Sequence, residues 1–318
     1  MNEIIWEINK LRKKGMGRYN ILKELKEKGF SISESKIRSI LEAWDTGYRT
    51  EEYLLVIVGD LHFGNPNLNI ENFKKTYFKN LKEILSRVAM VSDIKETILI
   101  DLGDAVENVK HISQLEESQI LIQQAKKEYR RFVRELIEII EPNRIYVSVG
   151  NHDRTELHYP TQHNHIEEIY DYIQEIYNIP ISISLKAQKF EVGGWGVVIK
   201  HDSGLRTTLG NISVNSLKNR IQTLRSQLDI YDVNTLQIRK SEIFIFGHIH
   251  KLGIYPNEDY LAIFNGTSCK KDFHMINVKD EDLGQLVFTL PPKNKAINQK
   301  GKLNLTIGTP YIIWLEEW

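Results

Sequence analysis

Residues 243–251 read IFIFGHIHK, an apolar run that ends in a glycine and two histidines. The run predicts a buried strand, because a strand covered on both faces is continuously apolar. His248 and His250 stand two positions apart behind Gly247, and extended backbone directs alternate side chains to the same side. One histidine after a strand has little meaning, whereas two at this spacing indicate metal ligands whose partners come from elsewhere in the chain.

Other apolar runs also end in polar residues that could supply those partners. They end in GDLHFG at 59–64, DLGD at 101–104, GNHD at 150–153 and His201. Loops at the carboxyl ends of strands are where open α/β sheets hold ligands. Each piece alone has an ordinary alternative, since Asp-x-His is commonly a capped turn and Asn-His-Asp can cap a helix. Together they predict one metal site built from several strand ends.

From residue 53 the sequence alternates between strand and helix patterns, which indicates an α/β domain over 53–318. Gly193-Gly194 suits the tight turn of a hairpin. We predict strands at 53–58, 97–103, 144–150, 189–192, 195–200 and 243–246, further strands in YLAIFNG, GQLVFTL and YIIWLEEW, and helices at 71–91, about 115–141, 164–177 and about 205–240.

The first 48 residues follow a different pattern. Apolar residues at helical spacing predict three short helices, interrupted by glycines and by KGFSIS at 28–33. Ser33 suits the N-cap of the third helix. Such a unit at 1–48 suggests a helix-turn-helix module, whose third helix would present Ser35, Lys36 and Arg38 to nucleic acid, DNA above all. A small packing or oligomerisation unit is the alternative.

Composition narrows the class of protein. The 42 Lys and Arg residues balance 42 Asp and Glu, but residues 1–50 hold 11 basic against 7 acidic side chains. This basic segment favours a polyanionic partner. The single cysteine, Cys269, excludes an internal disulfide and suits a reducing compartment. Since no signal peptide pattern or long apolar run is present, we expect a cytoplasmic protein without membrane contact. The oligomeric state stays open.

The ordered pieces resemble the motifs of the calcineurin-like metallophosphoesterases, D-x-H, G-D, G-N-H-D/E, H and G-H-x-H, over residues 59–250. The resemblance implies an α/β fold, a two-sheet α/β/β/α sandwich, with two divalent metal ions. It implies that one ion is held by Asp60, His62, Asp104 and His250, and the other by Asp104, Asn151, His201 and His248, with Asp104 bridging.

The same resemblance implies that His152 protonates the leaving oxygen or steadies the phosphate. Asp153 would orient His152 or, equally well, cap a helix. Glu107 follows Asp104 by three residues and receives no role. Mixed imidazole and carboxylate ligands suit Mn, Fe, Zn, Co or Ni better than Mg or Ca. Resemblance to the nuclease branch favours Mn.

The substrate is predicted from smaller differences between branches. Asn108 stands where the protein phosphatases of this superfamily carry an arginine that clamps phosphate, which disfavours that class. The opening Asp60-x-His62-x-Gly64 resembles DNA repair exonucleases. We therefore expect a phosphodiesterase acting on nucleic acid. The alternatives are a phosphatase or phosphodiesterase for small nucleotides with oligomerising N-terminal helices, and a DNA-binding regulator with a vestigial phosphoesterase body.

Overall fold

A computed structural model describes most of the chain, in segments separated by gaps. The described residues are 2–47, 49–65, 67–107, 122–153, 164–202, 204–205, 212–229, 231–232, 237–238, 240–269, 282–296 and 308–315.

The helices begin at residues that can cap them. Ser33 caps the third helix by accepting a hydrogen bond from the Lys36 amide, as predicted, and Asn69 and Asn164 cap α4 and α6 in the same way. The described helices are α1 (Asn2–Lys13), α2 (Arg18–Glu27), α3 (Glu34–Thr46), α4 (Ile70–Val91), α5 (Ile122–Ile140), α6 (His165–Tyr177) and α7 (Val214–Leu228). No described helix has the length and apolar character needed to cross a bilayer.

The strands form two large sheets and one short hairpin. Their bounds are β1 (Thr50–Val58), β2 (Ser92–Asp101), β3 (Arg144–Ser148), β4 (Ile181–Ser184), β5 (Gln188–Val192), β6 (Trp195–Asp202), β7 (Tyr231–Asp232), β8 (Gln237–Ile238), β9 (Ile243–Gly247), β10 (Gly253–Pro256), β11 (Leu261–Phe264), β12 (Gly284–Leu290) and β13 (Thr309–Trp314). Sheet I has the order β13-β12-β1-β2-β3-β4, sheet II has the order β10-β11-β9-β6-β5, and β7 pairs with β8.

The two sheets pack face to face, and helices cover their outer faces. Along β1, Leu55 and Ile57 join the core between the sheets, whereas Val56 joins the core beneath α4, α5 and α6. Helix α7 covers sheet II, where Leu217 packs with Phe244. Both faces of the central strands are therefore buried, which is why their sequences are continuously apolar. The predicted two-sheet α/β/β/α sandwich is confirmed.

Parallel pairing brings the strand ends together. In sheet I, β1, β2 and β3 are parallel neighbours, and in sheet II β6 and β9 are parallel neighbours. Parallel strands end at the same edge of a sheet, where ligand-binding loops collect. The five polar strand ends of the sequence are the carboxyl ends of these five strands.

The three N-terminal helices surround a small core of their own and also pack on the larger body. Ile8, Ile21 and Ile37 are buried in that small core, one from each helix. Trp6 instead joins the core of sheet I and its helices, and its indole N–H donates to the Ile139 carbonyl at 2.8 Å. Helix α1 is thus the contact between the module and the α/β sandwich.

Some predicted element boundaries were wrong. The helix predicted over about 205–240 ends at Leu228, because the side chain of Asp229 accepts hydrogen bonds from Ser241 and Lys189 and turns the chain away. The hairpin of β7 and β8 follows. The short strands β4 and β10 were not predicted. Residues 115–121 of the helix predicted over about 115–141, and Asn108, lie outside the described residues.

Candidate metal centre

The loops that follow β1 and β2 are tied together beyond the end of regular pairing. The amide of Asp60 donates to the Gly103 carbonyl at 2.9 Å, and the amide of His62 donates to the Asp104 carbonyl at 3.0 Å. Buried backbone groups need such partners, so the two loops run side by side. The D-x-H and G-D motifs are far apart in sequence, but these backbone hydrogen bonds place them side by side.

Most of the predicted ligands occupy left-handed backbone. The φ angles are 51° for Asp60, 47° for His62, 50° for Asp104, 70° for His248 and 52° for His250. This conformation costs an L residue about 1–2 kcal/mol relative to the right-handed form. Strained backbone of this kind collects at functional sites, where the surrounding hydrogen bonds impose it. The strain turns these side chains toward one another.

Two motif glycines are required by close approach. A Cβ on Gly150 would lie 2.2 Å from both the amide nitrogen and Oδ1 of Asp104. A Cβ on Gly247 would lie 2.7 Å from Oδ2 of Asp60. Any side chain at either position would therefore displace one of the two buried aspartates. The glycines of G-N-H-D and G-H-I-H thus allow the loops to meet.

The first group of ligand atoms is formed by Asp60, His62 and His250, all buried. Nε2 of His62 lies 3.1 Å from Nε2 of His250, and Oδ1 of Asp60 lies 3.3 Å from the same His250 nitrogen. The Asp60 carboxylate also accepts the amide of His248, with both oxygens at 3.0 Å. Three possible metal-ligand atoms, from the loops after β1 and β9, therefore lie close together.

The second group is formed by Asp104, His201 and His248. Nε2 of His201 lies 3.1 Å from Oδ2 of Asp104 and 3.1 Å from Oδ1 of Asn151. Nδ1 of His201 lies 2.6 Å from the Leu102 carbonyl, to which it donates, so Nε2 is the nitrogen directed at the group. Six of the seven predicted ligand side chains thus belong to these two groups, and the seventh, Asn151, contacts His201 of the second group.

Glu107 joins the site, although the sequence assigned it no role. Its two oxygens lie 3.0 Å from Nδ1 of His62 and 3.0 Å from Nδ1 of His152, and Asn65 donates to it at 3.1 Å. These three residues form a further cluster, His62, Glu107 and His152, with metal-binding potential. The only signal in the sequence was an acid three residues beyond Asp104.

The carboxylate of Asp153 holds the loops together. Among the described residues, no hydrogen bond joins its side chain to His152. Its carboxylate accepts the amides of Gly150 and Asp104 at 2.8 Å and of Ala105 at 2.9 Å. Our suggestion that Asp153 orients His152 is therefore corrected, since Glu107 holds that position. Three amide donors explain why a buried carboxylate is needed here.

A second buried carboxylate, Asp101, was also missed. It accepts the Gly103 amide at 2.9 Å and the hydroxyls of Tyr129 at 2.5 Å and Tyr170 at 2.7 Å. These bonds connect α5 and α6 to the turn that carries Asp104. No sequence signal separated Asp101 from an ordinary strand end, because both tyrosines lie on helices distant in sequence.

Burial and neighbouring charges together set the pKa values of the site residues. Burial opposes charge on His62 and His201, but Glu107 and the aspartates outweigh it and raise the pKa of His62 to about 10 and of His201 to about 9. Burial also opposes ionisation of Glu107, yet His152 and His62 hold the pKa of its carboxyl well below the usual range. Burial, reinforced by neighbouring aspartates, raises the pKa of Asp153 to about 7. The site thus gathers several buried carboxylates, whose negative charge the protein interior disfavours unless cations balance it.

The pattern of strand-end ligands agrees with a comparison to known families. The model for the calcineurin-like phosphoesterases matches residues 53–252. The chain belongs to the calcineurin-like phosphoesterase family. Membership supports a phosphoester hydrolase, and the buried ligand groups of this calcineurin-like phosphoesterase suggest divalent metals. A search of curated proteins finds no match.

Solved structures with a similar fold share little sequence with this calcineurin-like phosphoesterase. An archaeal phosphodiesterase is 14% identical with a TM-score of 0.39, covering 81% of this chain and 99% of its own. Vacuolar protein sorting 29 of Cryptosporidium parvum is 13% identical with a TM-score of 0.39, covering 82% and 96%. The same protein of Entamoeba histolytica, complexed with zinc, is 10% identical with a TM-score of 0.34, covering 82% and 98%.

The residues predicted to contact nucleic acid lie far along the chain from this centre. Ser35, Lys36 and Arg38 are exposed on α3, whereas Ile37 is buried. The helix therefore divides as a recognition helix would, with a polar outer face. Their contact with DNA stays a prediction.

Proposed function

We propose that this protein is a two-metal phosphodiesterase. The observation that carries the proposal is the pair of neighbouring ligand groups, Asp60–His62–His250 and Asp104–His201–His248, at the joined ends of two sheets. Family membership supplies the hydrolase class. The proposal adds the number of ions, the ligand assignment and the diester substrate.

The donor set fits a divalent transition metal. Two imidazole nitrogens bound to one ion at about 2.0–2.1 Å would be separated by about 2.9–3.4 Å in octahedral or tetrahedral geometry. The Nε2 atoms of His62 and His250 are 3.1 Å apart, a spacing that suits two ligands of one ion. Imidazole and carboxylate donors together favour Mn, Fe, Co, Ni or Zn over Mg or Ca. We propose Mn.

The ligand assignment follows the geometry of each group. Asp60, His62 and His250 would hold one ion, and Asn151, His201 and His248 the other. Asp104 would bridge, because its side chain lies beside His201 while its backbone carbonyl accepts the His62 amide. Two divalent ions would bring four positive charges, and Asp60 and Asp104 supply two negative charges. The centre would therefore attract phosphate.

The ions would polarise the phosphoester and lower the pKa of an attacking water toward neutrality. The remaining chemistry is done by side chains of this chain. His152 lies at the rim, 15% exposed, and its Nδ1 faces Glu107 at 3.0 Å. Its Nε2 is thus the nitrogen that can donate a proton to the departing oxygen. Glu107 stabilises the charged imidazole and holds its orientation.

We propose nucleic acid as the substrate. The support is the basic N-terminal segment, with 11 basic against 7 acidic residues in 1–50, and the exposed polar face of α3. Helix α1 supports the alternative, a packing unit, because Trp6 is buried against the sandwich. Since α1 makes that contact, α3 stays available for a partner. A vestigial catalytic body is disfavoured, because every proposed ligand is present and converged.

A substrate panel with the purified full chain tests the proposal. Bis(p-nitrophenyl) phosphate, single-stranded DNA, duplex DNA and a mononucleotide would be compared with and without Mn. We expect Mn-dependent hydrolysis of the diester and of DNA, and loss of both activities in Asp104→Ala together with reduced bound metal. Full activity of Asp104→Ala would contradict the two-metal centre. Hydrolysis of the mononucleotide but not of DNA would move the small-nucleotide alternative ahead.

A further inference from the structure

A polar cavity lies where the N-terminal module meets the sandwich. Its volume is about 330 Å³, and its walls come from α1, the end of α3, the linker into β1 and the start of β2. The lining residues are Asn9, Arg12, Lys13, Trp44, Gly47, Arg49 and Asp93. A volume of this size suits a small ligand.

This cavity is remote from the metal centre. Asp93 is the second residue of β2, whereas Asp104 follows the opposite end of the same strand. A strand rises about 3.3 Å per residue, so the eight steps from Asp93 to Asp101 span about 26 Å. A ligand in the cavity therefore does not occupy the proposed active site.

Three hydrogen-bond donors of the cavity are buried without a hydrogen-bond partner among the described residues. They are Nδ2 of Asn9, Nη1 of Arg12 and Nε of Arg49. Asn9 is only 2% exposed, and its Oδ1 already accepts from Arg49 at 3.1 Å, which directs its unpaired Nδ2 group elsewhere. Buried donors are nearly always satisfied in native proteins. Because all three atoms are donors, the missing partner is an acceptor.

The surrounding charge favours an anionic acceptor. Arg12, Lys13 and Arg49 line the cavity against the single acid Asp93, and Asp93 is itself paired with Lys95 at 2.8 Å. Arg12 also pairs with Asp45 on its outer side. Lys95 is in turn paired with Glu51 at 3.2 Å, so the neighbouring ion pairs and the carboxyl ends of α1 and α3 leave the wider surroundings near neutral. The lining side chains themselves carry three cations against one acid, and this local excess favours an anion.

Trp44 holds the two guanidinium groups in place. The Arg12 guanidinium carbon lies 5.6 Å from the centre of the indole ring and that of Arg49 lies 4.5 Å from it. Stacking on an aromatic ring orients an arginine while leaving its N–H edge free to bind. Arg49 is further fixed by donating to the Ser92 carbonyl. The donors are therefore prearranged.

We propose that this cavity binds a phosphate group, either inorganic phosphate or the terminal phosphate of a nucleotide. Its oxygens accept from Asn9, Arg12 and Arg49, and Lys13 adds charge. Arginine forks match the geometry of phosphate oxygens. The bound phosphate connects α1, the linker and the start of β2, so it fastens the N-terminal module to the sandwich. This site is independent of the proposed catalytic function.

Isothermal titration of the full chain tests the proposal, in chelator so that no metal at the catalytic centre binds phosphate. Inorganic phosphate and AMP are titrated separately into wild type, Arg12→Gln, Arg49→Gln and the control Lys23→Gln. Lys23 is 75% exposed on α2 and does not line the cavity. We expect one phosphate per chain, affinity at least about tenfold weaker in either arginine variant, and no change in the control.

The outcomes distinguish inorganic phosphate from a nucleotide as the ligand, and they also show whether the proposal fails. Equal binding of phosphate and AMP identifies the phosphate group as the whole ligand, and tighter binding of AMP identifies a nucleotide. If neither compound binds wild type, or if Arg12→Gln binds as tightly as wild type, the proposal is overturned. Arg49→Gln also loses the bond to Ser92, so circular dichroism verifies its fold. Arg12→Gln keeps that bond and decides the matter if Arg49→Gln fails to fold.

Discussion

Oε1 of Glu107 lies 3.0 Å from Nδ1 of His152. The other Glu107 oxygen lies 3.0 Å from Nδ1 of His62, a proposed metal ligand. One carboxylate thus lies against both a proposed ligand and the proposed proton donor. Carboxylates that orient ligating or catalytic histidines commonly affect affinity or activity by about 10–100-fold.

Glu107→Gln should lower kcat by about 10–100-fold at saturating Mn. Glutamine keeps the shape but removes the charge that stabilises a protonated His152. The loss should be smaller for nitrophenyl esters, whose leaving groups need little protonation. Steady-state kinetics on good and poor leaving groups measure this, with Glu175→Gln, an exposed position on α6, as control.

The double variant Glu107→Gln/His152→Ala then distinguishes positioning from a separate role. If Glu107 acts through His152, the double variant should be no slower than His152→Ala alone, because interacting residues are not additive. Multiplied losses with unchanged bound metal would show that Glu107 acts through neither His152 nor His62, and the proposed role would be abandoned.

His152→Ala should keep both metals and lose turnover by about 10²- to 10⁴-fold, as expected for a general acid. The imidazole is assigned to protonation of the leaving oxygen and not to metal binding. Metal analysis beside the rate measurement checks this. A parallel loss of metal content would make His152 a ligand.

The metal-free protein should become less stable as pH rises from 6.5 to 10. The pKa values of His62 and His201, about 10 and about 9, lie above the unfolded value of 6.5. A raised folded pKa contributes stability that is complete below the unfolded pKa and is lost as pH rises through the folded pKa. Urea unfolding in chelator should show this decline between pH 6.5 and 10. His62→Gln should make the decline less steep. An equally steep decline in that variant would show that His62 does not cause it.

Lys36→Gln/Arg38→Gln should weaken DNA binding by about tenfold or more and reduce its salt dependence. Each lost phosphate contact removes about 0.9 from the slope of log K against log salt. Binding measured at two salt concentrations checks this. Lys23→Gln/Lys26→Gln on α2 removes the same charge away from the α3 face. Equal effects of the two double variants would assign the attraction to net charge alone.

Trp6→Ala should destabilise the protein by about 3–5 kcal/mol, because a buried aromatic side chain is removed from the core. The residue is 3% exposed and donates to Ile139 in α5. Tyr19→Ala, at a position 63% exposed, should change stability little. Urea unfolding compares them. A small effect of Trp6→Ala would mean that the module is loosely attached.

The sequence predicted the candidate ligand residues and the two-sheet α/β class, because the motifs and apolar runs behind both predictions are local. Continuous apolar runs predicted strands buried on both faces, and a polar residue directly after each run predicted a loop at a strand end. The close approaches at Gly103, Gly150 and Gly247 were not predicted and are seen only in the structure. Ser33 marked a helix start through a hydrogen bond to a residue three positions on.

Only the tertiary structure decided which distant groups meet. Glu107 could not be assigned, because its partner His152 lies in a loop that follows a different strand. Asp153 was predicted to orient His152, whereas its carboxylate accepts amides from the loop after β2, which is distant in sequence. The cavity of Arg12 and Arg49 exists because α1 packs against the sandwich beside the linker. Spacing along the chain predicts contacts within one element, whereas contacts between elements depend on how whole surfaces pack.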